Sequence, residues 1–108
     1  MKTSEAESNG GGYHVHCSGV IFKTFQQIQK QAKGQSRGEQ VLSAMRQIWQ
    51  QLSYDPNDFG EPLYRLPALW LNVRHAAVGP LLIYFAVHDH MPLVFIKEVT
   101  LLPARTSE

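Results

Sequence analysis

YDPNDFGEPLYRL, residues 54–66, stands between two stretches of different hydrophobic period, and its reading decides the fold. A helix cannot run through Asp55-Pro56 and Glu61-Pro62, because each proline lacks an amide donor and pushes the residue before it out of the helical region. Yet Phe59, Leu63, Tyr64 and Leu66 are too apolar for a slack linker. The segment is expected to be an ordered junction that re-aims the chain, with Phe59, Leu63 and Leu66 anchoring it to a core.

Before the junction the period is helical. Ile21, Phe25, Ile28 and Ala32 recur at spacings of four, three and four, one stripe of a helix that Gly34 is suited to end. Ser36-Arg37-Gly38-Glu39 fits a capping box at the start of a second helix. Val41, Met45, Ile48 and Leu52, with Leu42 and Trp49 beside them, give that helix a wide apolar face. Two helices over about 19–53 with a short link pack as an antiparallel hairpin.

After the junction the period is two. Leu69, Leu71 and Val73 alternate with Trp70, Asn72 and Arg74, and the runs LLIYFAV (81–87) and LVFIKEVTL (93–101) read as two further strands about a turn at His88–Pro92. Leu81–Val87, apolar on both parities, belongs in the middle of a sheet. Tyr13–Cys17 is a short first strand. The expected class is α+β in the order β-α-α-β-β-β: a short N-terminal strand, a helical hairpin, then an antiparallel meander packed on the helices. Residues 1–12, polar and glycine-rich, are expected to be a disordered tail, 13–102 one domain and 103–108 a C-terminal tail.

Composition narrows the function classes. With 108 residues, 44% of them hydrophobic, the chain can bury a core without disulfides, and its single cysteine, Cys17, can form no internal one. No stretch is apolar enough for a membrane helix, and the first residues lack the apolar core of a signal peptide. The expectation is a cytoplasmic protein with no membrane partner. Ten Lys and Arg against nine Asp and Glu give a formal charge of +1, so no long-range field draws the chain to nucleic acid.

The order of elements, the junction L-x-x-D-P-x-x-F-G-E-P-L at Leu52–Leu63 and R-x-x-x-V-G at Arg74–Gly79 together resemble the RelE/ParE superfamily of toxins from bacterial type II toxin-antitoxin pairs. The resemblance covers about residues 13–102. It implies a cognate antitoxin protein as partner and a macromolecular target, either DNA gyrase or the ribosome with its RNA. RelE-type ribonucleases cut with a cluster of Arg, Lys and Tyr or His that stabilises phosphate charge and moves protons. In this chain Leu82 stands where the family's strand arginine is expected, and the last residues offer Arg105 but no catalytic tyrosine, with Pro103 interrupting the strand. The expectation is therefore target binding rather than efficient cleavage. The alternatives are a non-toxic interaction module on the same fold and a weak endoribonuclease in which His75, Arg74 and Lys97 replace the missing groups.

Arg74 is the leading candidate for target binding, since strand parity places it with Trp70 and Asn72 on one face; Arg65, His75, Tyr84 and Lys97 are its candidate neighbours. No cofactor is expected. The pairs His14/His16 and His88/His90 share faces, but no CxxC and no carboxylate at ligand spacing beyond Asp89 accompanies them, so no metal site is expected. Cys17, set among apolar residues, is expected to be an inert thiol.

Overall fold

The computed structural model describes residues 12–103, so the expected tails, Gly12 and Pro103 apart, lie outside the described residues. Strand β1 is His14–His16; helices α1 (Gly19–Gly34) and α2 (Gly38–Tyr54) follow; then come β2 (Glu61–Leu66), β3 (Leu71–Val78), β4 (Leu81–His88) and β5 (Leu93–Leu101). The sheet order is β1-β5-β4-β3-β2, with β1 parallel to β5 and every other pair antiparallel. The α+β class and the helix-covered meander are as expected. The meander, however, has four strands, because Glu61–Leu66 is itself a strand paired with β3.

That strand sits within the junction. Asp55 ends α2, Pro56 starts a single 3-10 turn to Asp58, and Gly60 at φ +71 turns the chain into β2. A strand containing Pro62 is possible because β2 is an edge strand, and its register shifts between Pro62 and Tyr64, leaving Leu63 as an unpaired bulge. Phe59 anchors the junction as expected, stacking on Phe85 with centroids 5.6 Å apart, and Pro56 is fully buried. Leu63 does not: it is exposed, and Leu66 lies outside the core cluster, since alternation along an edge strand offers the core few of its positions.

The α1 stripe of Ile21, Phe25, Ile28 and Ala32 is buried, and Ser18 caps the helix by accepting from the Ile21 amide. The capping box at Ser36 is not formed. Ser36 takes a left-handed conformation (φ 59) in ending α1, where the Arg37 amide donates to the Ala32 carbonyl at 2.7 Å, so it cannot also be the extended N-cap of α2. Arg37 occupies that place without a side-chain cap and donates instead to the Leu102 carbonyl at 3.0 Å, tying the helical turn to the end of β5.

Helix α2 turns Val41, Ala44, Ile48 and Leu52 inward, while Met45 is only half-buried and Leu42 and Trp49 are exposed. The inward residues meet Ala76, Leu81, Ile83, Phe85, Val87, Val94, Ile96 and Val99 from the sheet in one core. Central strand β4 supplies half of these, the role that its doubly apolar pattern predicts.

Candidate functional site on the uncovered sheet face

Directly paired residues of neighbouring strands share a face, so the register sorts every side chain. Ala76, Ile83 and Val99 form one row and point to the helices. The alternate rows face away. One runs across all five strands as Tyr64, Val73, Ala86, Phe95 and His16. The His16 ring stacks on Phe95 at 5.2 Å, His14 lies edge-on to His16 at 4.8 Å, and Val73 and Ala86 are buried between the larger residues although no helix covers them.

The neighbouring row reads Glu61, His75, Tyr84 and Glu98. The His75 and Tyr84 rings stack at 5.9 Å, with a carboxylate at each end of the row. Lys97 has no partner on β4, because the register shifts there and makes it a bulge residue beside Glu98. Leu82, at the place where the family resemblance calls for arginine, pairs with Ala77 and Thr100 on the same uncovered face.

Of the seven candidate residues, Lys97 stands at the bulge and the other six separate into three groups. His75 and Tyr84 are together on the uncovered face. Arg74 is on the opposite face, paired with Phe85, and its guanidinium is engaged: Nε donates to the Phe59 carbonyl and Nη2 to the Gly60 carbonyl, both at 3.0 Å. Asn72 shares Arg74's face as expected, but Trp70 does not continue the alternation. It follows a 3-10 turn at Pro67–Leu69 in a left-handed conformation (φ 58, ψ 41), which breaks strand parity before β3 begins.

Trp70 instead builds a corner at one end of the sheet. Its ring, 54% exposed, tilts against His90 at 4.9 Å, and its carbonyl accepts from the Asp89 amide at 2.8 Å. Beside it, Arg65 Nη2 donates to Asp89 Oδ2 at 2.7 Å, Asn72 Nδ2 donates to Asp89 Oδ1 at 2.7 Å, and Arg65 Nη1 donates to Asn72 Oδ1. His88 Nδ1 accepts from the amides of His90 and Met91 at 3.0 and 3.1 Å and shapes the β4–β5 turn that carries the corner. Sequence parity alone could not find Glu61, Glu98, His16 or Phe95 as members of these rows, because the two bulges reset the pairing.

Among the described residues no group of three or more His, Cys, Asp or Glu is placed to hold a metal ion. Cys17 is half-buried, and burial pushes its thiol pKa up, which disfavours the nucleophilic thiolate. Among the described residues no helix is long and apolar enough to cross a membrane. Comparison with known protein-family models, curated proteins and solved structures finds no match.

Proposed function

We propose that this chain is a RelE/ParE-like toxin component that acts by binding a protein target, of the kind DNA gyrase presents, through the uncovered sheet face and the adjoining Trp70 corner, with a cognate antitoxin as its partner. The observation that carries the reading is the five-strand row Tyr64, Val73, Ala86, Phe95 and His16 on the face opposite the helices, where exposed Tyr64 and His16 and half-buried Phe95 surround buried Val73 and Ala86. Charge favours a protein target over a nucleic acid. A phosphodiester needs several cations converging on one phosphate, whereas the His75–Tyr84 stack is flanked by Glu61 and Glu98, and Lys97 lies beside the second of these. Aromatic residues with few charges are the composition of a protein-binding surface.

The test is induction of the chain in bacteria, unmodified and with Tyr64→Ala or His16→Ala, following growth and messenger RNA integrity. Both positions are exposed, so the fold tolerates their truncation. Growth arrest with intact messenger RNA, relieved by either variant, is expected. Rapid codon-specific cleavage would overturn the choice of a protein target in favour of an endoribonuclease, and normal growth on full induction would leave the non-toxic interaction module instead.

A further inference from the structure

All five histidines of the chain lie on the uncovered sheet face or at its corner, and the two helices carry none. His14, His16, His75 and His88 are on the face by register, and His90 stands in the turn beyond β4. His88 also holds the backbone together. Its Nδ1 accepts from the amides of His90 at 3.0 Å and Met91 at 3.1 Å. A backbone amide can only donate, so this nitrogen is an unprotonated acceptor and the proton of the neutral ring sits on Nε2. A second proton has only Nδ1 to go to, where it would point at two donors.

The two bonds close the loop that carries the Trp70 corner. Between His88 and Met91 lie Asp89, whose amide donates to the Trp70 carbonyl at 2.8 Å and whose carboxylate takes Arg65 and Asn72, and His90, whose ring meets Trp70 at 4.9 Å. The surroundings of His88 offer its cation little. Leu71 of β3 pairs with it, Leu93 of β5 follows in the same row and His14 of β1 lies beyond Leu93. In the turn, Asp89 is committed to Arg65, and His90, its ring 6.2 Å away, would gain a like charge. Glu61 and Glu98 flank His75 and Tyr84 two rows off, with Lys97 beside Glu98. His88 is half-buried and His90 exposed, so protons reach both rings, and imidazoles ordinarily change charge between about pH 5 and 8. We propose that His88 is a proton-operated latch: the β4–β5 turn and the Trp70 corner hold together while His88 Nδ1 is free of a proton, and acidification releases both. The consequence for binding, a face that lets go of its target in acid, rests on the function proposed above, whereas the latch itself is read on the chain alone.

The test is a titration of the full-length, isotope-labelled chain from about pH 8 to about pH 5, followed by nuclear magnetic resonance. At the upper end the His88 ring is expected as the Nε2–H tautomer. On acidification its protonation and the amide signals of Asp89, His90 and Met91 should move with one midpoint. Hydrogen-exchange protection of those amides, corrected for the intrinsic effect of pH, should fall by about tenfold, the equivalent of one hydrogen bond. His88→Asn supplies a side-chain oxygen that accepts from the amide two residues on and does not titrate, so the three amide signals should stay in place. His88→Asp, which keeps an ionised acceptor through the same interval, should do likewise, and His90→Gln should retain the transition. An Nδ1–H tautomer at neutral pH, amide signals that do not follow the His88 ring, the same transition in both His88 variants, or its loss in His90→Gln would each overturn the latch. A flat titration removes the latch without touching the target reading, which growth arrest tests.

Discussion

Arg74 Nη2 donates to the carbonyl oxygen of Gly60 at 3.0 Å, so strand β3 holds the residue at which the chain turns from the helical pair into the sheet. Its Nε donates to the preceding carbonyl, that of Phe59, at the same distance, so one edge of the planar guanidinium grips two successive carbonyls. Truncation would leave both carbonyls without their charged donor. Arg74→Ala is expected to cost about 1–3 kcal/mol, read as a fall of roughly 4–8 °C in melting temperature per kcal/mol for a domain of this size. Arg74→Lys should recover little of it, because an ammonium cannot span two carbonyls in the same plane. An unchanged melting temperature in Arg74→Ala would remove this residue from the frame of the fold. A growth phenotype of the variant is to be read only after its stability is known.

The two left-handed glycines should respond differently to a methyl group. At Gly60 (φ +71) a Cβ would fall against the His75 carbonyl oxygen and lie 2.8 Å from the Ala76 Cβ, so conformational strain and backbone overlap combine. At Gly79 (φ +55) the nearest side-chain atom is the Ala44 Cβ at 3.5 Å, an ordinary contact, and strain acts alone. Gly79→Ala is expected to cost about 1–2 kcal/mol and Gly60→Ala more than about 3 kcal/mol. Equilibrium denaturation of the two variants gives the order, and equal losses would contradict the packing of the junction on β3.

Periodicity made the helices and the central strand legible, because Ile21, Phe25, Ile28, Ala32 and the run Leu81–Val87 each serve one core and nothing competes for them. Three features escaped where local rules compete. Pro62 argues against a strand, yet an edge position and the bulge at Leu63 accommodate it. Ser36 reads as the cap of α2 but is taken by the end of α1. Trp70 reads as a strand residue until the 3-10 turn before it resets the parity. The candidate site was legible only as residue types. Rows such as Glu61, His75, Tyr84 and Glu98 need the register, and the bulges at Leu63 and Lys97 that set it leave no mark in the hydrophobic pattern.

Cys17 gives a pH signature of known sign. Burial disfavours its thiolate in the folded chain and so raises the pKa above 9.0. The folded state then holds its proton to higher pH than the unfolded state. The contribution to stability is complete below the unfolded pKa and is lost as pH rises through the folded one, above about pH 9. Denaturation midpoints of the unmodified chain and of Cys17→Ser, compared from neutral to alkaline pH, should differ by an amount that shrinks or changes sign above that point. A difference that stays constant through the alkaline range would contradict the shift. Alkylation of Cys17 near neutral pH should also be slower than that of an unhindered thiol.

The histidine pairs lead to a further expectation. The His14 and His16 rings lie 4.8 Å apart and those of His88 and His90 6.2 Å apart, but no third ligand joins either pair among the described residues. Treatment with a chelator is therefore expected to leave the melting temperature unchanged. A large drop, restored by zinc alone, would contradict this.

Trp70 offers the sharpest separation of stability from binding. A left-handed conformation costs a residue with a Cβ about 1–2 kcal/mol, and asparagine is among the side chains that tolerate it best. The exposed ring recovers part of that cost by leaning on His90 at 4.9 Å, a contact of about 0.5–1.5 kcal/mol. Strain kept at an exposed aromatic residue, next to the fixed Arg65, Asn72 and Asp89 network, is the pattern of a residue retained for what it touches. Trp70→Asn is therefore expected to leave stability within about 1 kcal/mol of the unmodified chain while relieving growth arrest, as loss of an anchoring tryptophan weakens an interface by tenfold or more. Trp70→Phe, which keeps a ring against His90, should retain part of the effect. Thermal denaturation and induced growth are measured on the same three proteins. If the asparagine variant is as stable as the unmodified chain and arrests growth equally well, Trp70 is no part of the target-binding surface, and the uncovered face alone must carry it.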